Sequence, residues 1–288
     1  MAEVHEDGVE LSGLRIAYRR YGPTEAQPVL CLHGWLDNAA SFAPLAEHMP
    51  DYQLIAPDLA GHGHSDHRAL CTPYHHLDWV LDMIAFCDAL KLERFALLGH
   101  SMGAGIAALL AGTVPERVRH LGLIEGTGPR PTPAAELPTL LSSFHQAEQK
   151  ARALPIRARP AAFDIAVRAR LVSSPLSRGA AELLAQRGTE VVAHSGGRVR
   201  WRNDRRLSRM QPMHLGEEQI LAFLARIACP TLLVVAREGL RYNAEVVERR
   251  KAAISALSEC LVDGRHHVHM DHPERVAPQL LALLAQPA

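Results

Sequence analysis

The sequence predicts an α/β fold: a mostly parallel central sheet flanked by helices and interrupted by one inserted helical cap. Three observations carry this prediction. Short runs that are apolar on both faces recur along the chain, as strands of a helix-covered parallel sheet require. Stretches with apolar residues at three- and four-residue steps lie between them. The alternation stops after Gly128 and resumes near Thr231.

In order, Val9–Leu11 and Leu14–Tyr21 flank Ser12-Gly13 and read as an opening hairpin. The strand runs are Pro28–Gly34, Tyr52–Leu59, Phe95–Ser101 and His120–Gly126. Leu77–Leu90 reads as a helix with Leu77, Val80, Leu81, Ile84, Ala85 and Leu90 on one face, and Met102–Val114 as a second helix rich in small residues. Alternating strand and helix imply right-handed crossovers. From Pro129 to about Leu224 the chain is rich in Arg, Ala and Pro, with helical fragments and no strand run. The pattern then returns with strand Thr231–Ala236, helix Asn243–Leu257, strand Glu259–Gly264 and helix His272–Ala285. The expected division is a core of residues 1–128 and 226–288 with a cap at 129–225. An insertion after a strand's C-terminal end lies where open α/β sheets bind ligands, which makes it a lid.

Composition narrows the function. Of 288 residues, 48% are hydrophobic and 22% charged, a globular balance. Lys+Arg and Asp+Glu are equal at 31 each, which excludes the basic footprint of a dedicated nucleic-acid binder. The acidic N-terminus holds no apolar signal-like run, and no stretch approaches the roughly 18 apolar residues of a membrane span. The expectation is a cytoplasmic protein with no membrane partner. The five cysteines (Cys31, Cys71, Cys87, Cys229 and Cys260) show no CxxC spacing. Cys31, Cys229 and Cys260 sit in or beside apolar runs and read as small hydrophobes.

The chemistry concentrates in three places. Gly99-His100-Ser101-Met102-Gly103 joins a buried strand to a small-residue helix, the setting of a serine nucleophile on a sharp turn. Glycine at both flanks fits a turn where side chains would strike neighbouring backbone, which a serine acting only as an N-cap does not need. The helix start also favours negative charge developing at Ser101. His33-Gly34-Trp35 ends another strand, and the backbone N–H groups of Trp35 and Met102 are the expected oxyanion donors. The Trp35 indole and His100 are expected to line the substrate site. The tail DGRHHVHMDHPE holds His266, His267, His269 and His272. His266 comes first after the last strand and is the expected general base, with His269 and His272 in packing or surface roles. The histidines lack a structural zinc spacing, so neither a metal nor a cofactor is expected.

HGW at 33–35, PDLAGHGHSD at 57–66, GHSMG at 99–103 and the final GxHH…DHP together resemble the α/β-hydrolase superfamily over nearly the whole chain outside the cap. HGWLDNAASF and the cap ending GGRVRWRNDRRL resemble one branch, the serine hydrolase-like proteins. The resemblance implies a base seven residues before the tail proline, and Pro273 puts that on His266. Arg265 departs from the small residue common at its position. In PDLAGHGHSD the resemblance implies mainly a structural turn, with Asp58 bonding local backbone. Asp37 and Asn38 are expected to steady the loop beside the oxyanion donors.

The acid is open between two carboxylates. The superfamily's usual position, after the strand that resumes behind the cap, falls on Gly239, with Glu238 nearest. A second arrangement places the acid after the strand that follows the nucleophile helix, which here is Glu125. Glu125 ends an apolar run and needs a partner to stay ionised there, whereas a surface ion pair explains Glu238; Glu125 is preferred. The arginines Arg198, Arg200, Arg202, Arg205, Arg206 and Arg209 suggest an anionic substrate or, more simply, a solvated surface paired with nearby carboxylates.

The function expected is a serine hydrolase of small carboxylic esters or related acyl compounds, acting through an acyl-enzyme. A carbon–carbon bond hydrolase on the same residues and a non-catalytic ligand-binding protein are the alternatives. Dehalogenase and epoxide hydrolase chemistry is disfavoured, because those relatives need Asp where Ser101 stands.

Overall fold

The opening turn sets one edge of the sheet. Strands β1 (Val4–Leu11) and β2 (Leu14–Tyr21) pair antiparallel across Ser12-Gly13, where Gly13 takes φ 77°, the left-handed backbone that a two-residue hairpin turn needs. The apolar runs become β3 (Gln27–Leu32), β4 (Tyr52–Pro57), β5 (Phe95–His100) and β6 (Val118–Ile124). Between them lie α1 (Ala43–Ala46), α2 (His76–Ala89) and α3 (Met102–Thr113). Residues 129–225, expected as the insertion, hold α4 (Leu137–Ala151), α5 (Phe163–Ser173) and α6 (Arg178–Gly188), then β7 (Thr189–Val191) and β8 (Val199–Trp201), then α7 (Glu217–Leu224). After it follow β9 (Thr231–Glu238), α8 (Ala244–Ala253), β10 (Leu257–Arg265), α9 (Val268–Asp271) and α10 (Pro273–Leu284). The computed structural model describes residues 4–70, 72–151, 159–208 and 213–287; Cys71 and Arg209, named above, lie outside the described residues.

The eight-stranded sheet runs β1-β2-β4-β3-β5-β6-β9-β10. Its last six strands are mutually parallel, and the hairpin forms the antiparallel edge. The chain steps from β3 to β4 on one side and returns to β5 on the other, so the strand order reverses between β3 and β5. At such a switch the loops leaving the C-terminal ends part and open a crevice. Side chains alternate across the sheet: Phe95 and Leu97 pack with α2, α3 and α7, while Ala96 and Leu98 pack with α1, α9 and α10. Cys31, Cys87 and Cys229 are buried free thiols. No helix of the described residues is long and apolar enough to cross a membrane.

The insertion departs from the expectation of helices alone. β7 and β8 form a two-stranded antiparallel ribbon, closed through Gly196 and Gly197 at φ 67° and 77°. Three-residue strands are too short to show an alternating pattern, which is why the sequence did not reveal them. Helix α7 belongs to the core, where Ile220 and Leu224 are fully buried. Gly112 lets α3 reach it, since a Cβ there would fall 2.2 Å from the Phe223 carbonyl oxygen. Helices α5 and α6 have their own small core of Val167, Leu176, Ala181 and Leu184, which meets Met270.

Buried polar contacts fasten this insertion to the sheet. Asp58 accepts the N–H groups of Ala39 and His64 at 2.7 Å each, the turn-holding role expected of it. It also takes Arg187 of α6 at 3.0 Å, and Arg187 reaches Glu6 at 2.8 Å. Removing one partner of a buried pair leaves the other charge uncompensated. Arg187→Met is therefore expected to cost about 3–5 kcal/mol of stability, and adding Asp58→Asn to recover part of it. Urea denaturation of the two variants checks this; equal losses would contradict it.

Candidate active site

The serine sits on a forced turn. Ser101 adopts φ 53° and ψ −113° between β5 and α3, a backbone that non-glycine residues rarely hold. Its N–H donates to the Ile124 carbonyl at 2.9 Å and its own carbonyl accepts Gly105 N–H at 3.1 Å. A Cβ on residue 99 would fall 2.4 Å from the Gly103 oxygen, and one on residue 103 would fall 2.0 Å from the Leu32 oxygen. Both glycines are thus required by backbone, which does not yield as a flexible side chain would.

The imidazole and carboxylate come from two other strand ends. His266 follows β10 directly, and its Nε2 lies 2.9 Å from Ser101 Oγ. Its Nδ1 lies 3.0 Å from Glu125 Oε2. A carboxylate only accepts, so Nδ1 carries the hydrogen and Nε2 is left to take the serine O–H. Glu125, just past β6, holds φ 57°. Its Oε1 accepts Ala236 N–H at 2.7 Å and its Oε2 accepts Leu240 N–H at 3.1 Å, while Tyr242 donates its hydroxyl to the Glu125 carbonyl at 3.0 Å. Three N–H groups therefore converge on this carboxylate.

Glu238, the other candidate acid, is not brought to the imidazole. Its side chain is 70% exposed and faces Arg265 at 3.8 Å. The usual acid position, Gly239, is filled from elsewhere: a Cβ there would lie 2.1 Å from Glu125 Oε2. Glu125 occupies the space that a longer residue 239 would need, so the two arrangements exclude each other.

The loop after β3 lies against this turn. Met102 opens α3, so its N–H has no acceptor within the helix, and the Trp35 N–H has no acceptor among the described residues. Trp35 is 46% exposed and its indole N–H donates to the Leu207 carbonyl at 3.0 Å, which ties the loop to the insertion. His100 corrects the expectation of a substrate contact. It is completely buried, and its Nε2–H donates to the His266 carbonyl at 2.9 Å. A residue at the end of a strand covered on both faces points into the core, and burial pushes the His100 pKa down to about 3, leaving it neutral.

Behind Ser101 and His266 is a buried polar cluster of which the sequence pointed only to Asp37, as a residue steadying its loop. Asp37 contacts Arg170 of α5 through Oδ1, accepts His267 Nε2–H at 3.2 Å and faces His100 Nδ1 at 3.6 Å. Burial opposes its charge, yet the Arg170 guanidinium holds the Asp37 carboxyl well below the usual range. His269, kept neutral by burial, meets Ser41 Oγ at 2.8 Å. Asp37, His100 and His267 have donor atoms spaced for a cation, but Arg170 Nη2 lies against both Asp37 and His267 and already supplies the positive charge. The signal for Arg170 was its spacing: it lies three and four residues after Val167 and Ala166, on the buried face of α5. Of the arginines read as a solvated surface, Arg200 pairs with Glu190 and Arg206 with Asp204.

Comparison with known proteins agrees with this geometry. Residues 27–273 match the family described as alpha/beta hydrolase fold. Serine hydrolase-like protein 2 of Homo sapiens is 32% identical over 299 residues, covering 93% of this chain and 90% of its own. The crystal structure of a hypothetical protein from Pseudomonas aeruginosa PAO1 superposes with a TM-score of 0.90 at 37% identity, over 98% of this chain and 99% of that one. A thioesterase domain from the curacin biosynthetic pathway reaches a TM-score of 0.82 at 26% identity, over 97% and 99%.

The proton on His266 Nδ1 should give a low-field NMR resonance while Glu125 accepts it. Gly239→Ala is expected to shift or erase that signal by displacing the carboxylate, and Glu238→Gln to leave it in place. The reverse pattern in ¹⁵N-edited spectra would mean that Glu125 is not the acceptor.

Proposed function

Because the chain belongs to the α/β-hydrolase fold family, in its serine hydrolase-like branch, we propose that it hydrolyses small carboxylic esters or related acyl compounds through an acyl-enzyme on Ser101. The observation that carries this reading is the unbroken relay from Ser101 Oγ through both nitrogens of His266 to Glu125, at 2.9 and 3.0 Å. Ser101 attacks the acyl carbon while its proton passes to His266 Nε2. The same proton then goes to the leaving oxygen or sulfur, and the acyl group stays on Ser101. Water then attacks the acyl carbon and gives a proton to His266, which passes it to Ser101 Oγ as the acyl–Oγ bond breaks and the acid leaves.

Glu125 orients the imidazole and stabilises the imidazolium formed in each half. The N–H groups of Trp35 and Met102 are read as the donors for the tetrahedral oxyanion, a role worth about 2.7–4 kcal/mol per donor in barrier. The insertion is read as the cap over the acyl pocket, since Leu207 meets Trp35 and α5 meets Asp37. The likeness to a thioesterase domain supports counting thioesters among the acyl compounds. No step calls for a cofactor.

A series of p-nitrophenyl esters, from acetate upward, tests the reading. Turnover is expected in the wild type and not in Ser101→Ala; turnover that survives in Ser101→Ala would overturn it. Glu125→Gln is expected to lower kcat by roughly three to four orders of magnitude with KM nearly unchanged. Glu238→Gln is expected to change neither.

A further inference from the structure

Asp37 lies beside the sequence neighbours of Ser101 and His266 and on the loop of Trp35. It lies two residues beyond Trp35 on the same loop. Its Oδ2 accepts His267 Nε2–H at 3.2 Å, and His267 directly follows His266. The same oxygen lies 3.6 Å from His100 Nδ1, a nitrogen left without a hydrogen while Nε2–H donates, so His100, which directly precedes Ser101, packs against Asp37 with no hydrogen bond between them. His100 closes the circuit by donating Nε2–H to the His266 carbonyl at 2.9 Å. One fully buried carboxylate thus ties the donor loop to the imidazole loop, and His100, packed against it, ties the serine turn to the same imidazole loop.

A carboxylate so placed needs a cation, because burying it unpaired costs several kcal/mol. Arg170 supplies that charge, with 5% of its side chain exposed and Nη2 against Asp37 Oδ1. Arg170 is carried by α5, so the cation is present only when this helix of the insertion is seated. The Arg187–Asp58 pair offers an internal comparison. It is as deeply buried and also joins the insertion to the core, but Asp58 spends its other bonds on Ala39 and His64 N–H and the Ser65 hydroxyl meets its carbonyl. None of these residues adjoins Ser101 or His266.

We propose that Arg170 is a positioning residue for the hydrolysis, which by neutralising Asp37 makes alignment of the Trp35, Ser101 and His266 loops conditional on the docking of α5. This inference rests on the hydrolytic reading above. It gives the insertion a part in the chemical step in addition to shaping the pocket. A displacement of about 1 Å among reacting groups costs roughly 100-fold in rate, which sets the size of the expected effect.

The test measures kcat and KM for p-nitrophenyl acetate, with Tm, on the full chain carrying Arg170→Met, Arg187→Met, or Asp37→Asn together with Arg170→Met. Both single variants should lose Tm, but only Arg170→Met should lose about 100-fold in kcat, with KM changed less than about threefold. The double variant buries no lone charge, so Tm should recover while kcat stays low; it also serves if Arg170→Met alone does not fold. Recovery of kcat together with Tm in the double variant, or equal kcat losses in the two single variants, would overturn the proposal and leave the hydrolase reading standing. Absence of Ser101-dependent turnover in the wild type would instead remove the premise, and the proposal with it.

Discussion

The closest constraint in the molecule is the contact between the first turn of α3 and the end of β3. With the Leu32 carbonyl oxygen 2.0 Å from where a Cβ of residue 103 would sit, only a glycine lets the helix approach the strand. That approach brings Ser101 alongside the Trp35 loop. The register of the sheet does the rest: Leu32 pairs with Gly99 and His100 with Ile124, so the strand ends that lead to Trp35, Ser101 and Glu125 finish at one level. β10 then delivers His266 to the same edge. Four strand ends, held by backbone hydrogen bonds, thus set the places of Trp35, Ser101, Glu125 and His266.

Charge is used differently on the two sides of this edge. The side of Ser101 keeps one carboxylate, Glu125, satisfied by two backbone N–H groups and one imidazole. The side beneath it keeps Asp37 and Asp58, each matched by an arginine from the insertion. The histidines His62 and His100, both pushed down to about 3 by burial, serve as neutral donors and packing surfaces. Such pairs add little net stability compared with apolar packing, but they fix which helix sits where. The insertion is accordingly joined to the core by specific charge contacts as well as by its small apolar cluster.

Much of this was legible in the sequence because it depends on local rules. The apolar runs gave the strands of the main sheet, and the glycines around Ser101 marked the turn. His266 followed from its place after the last strand. The carboxylate was harder: Glu125 and Glu238 both end apolar strands, and the choice turns on the space beside Gly239, a tertiary fact. The ribbon of β7 and β8 escaped because three residues carry no period. Arg170 and Arg187 escaped because arginine in a basic, helical stretch reads as surface, although both stand on the same helical face as buried apolar neighbours. His100 stands next to Ser101 in sequence, yet alternation along β5 turns it inward.

The most direct measurement is mass-spectrometric peptide mapping of the protein after reaction with a fluorophosphonate. A serine held proud of its turn and deprotonated by His266 should yield one covalent adduct, on Ser101, and replacing His266 by Ala should remove it. A protein that stays unmodified at Ser101, or that reacts at a different serine, would contradict the assignment of Ser101 as the nucleophile.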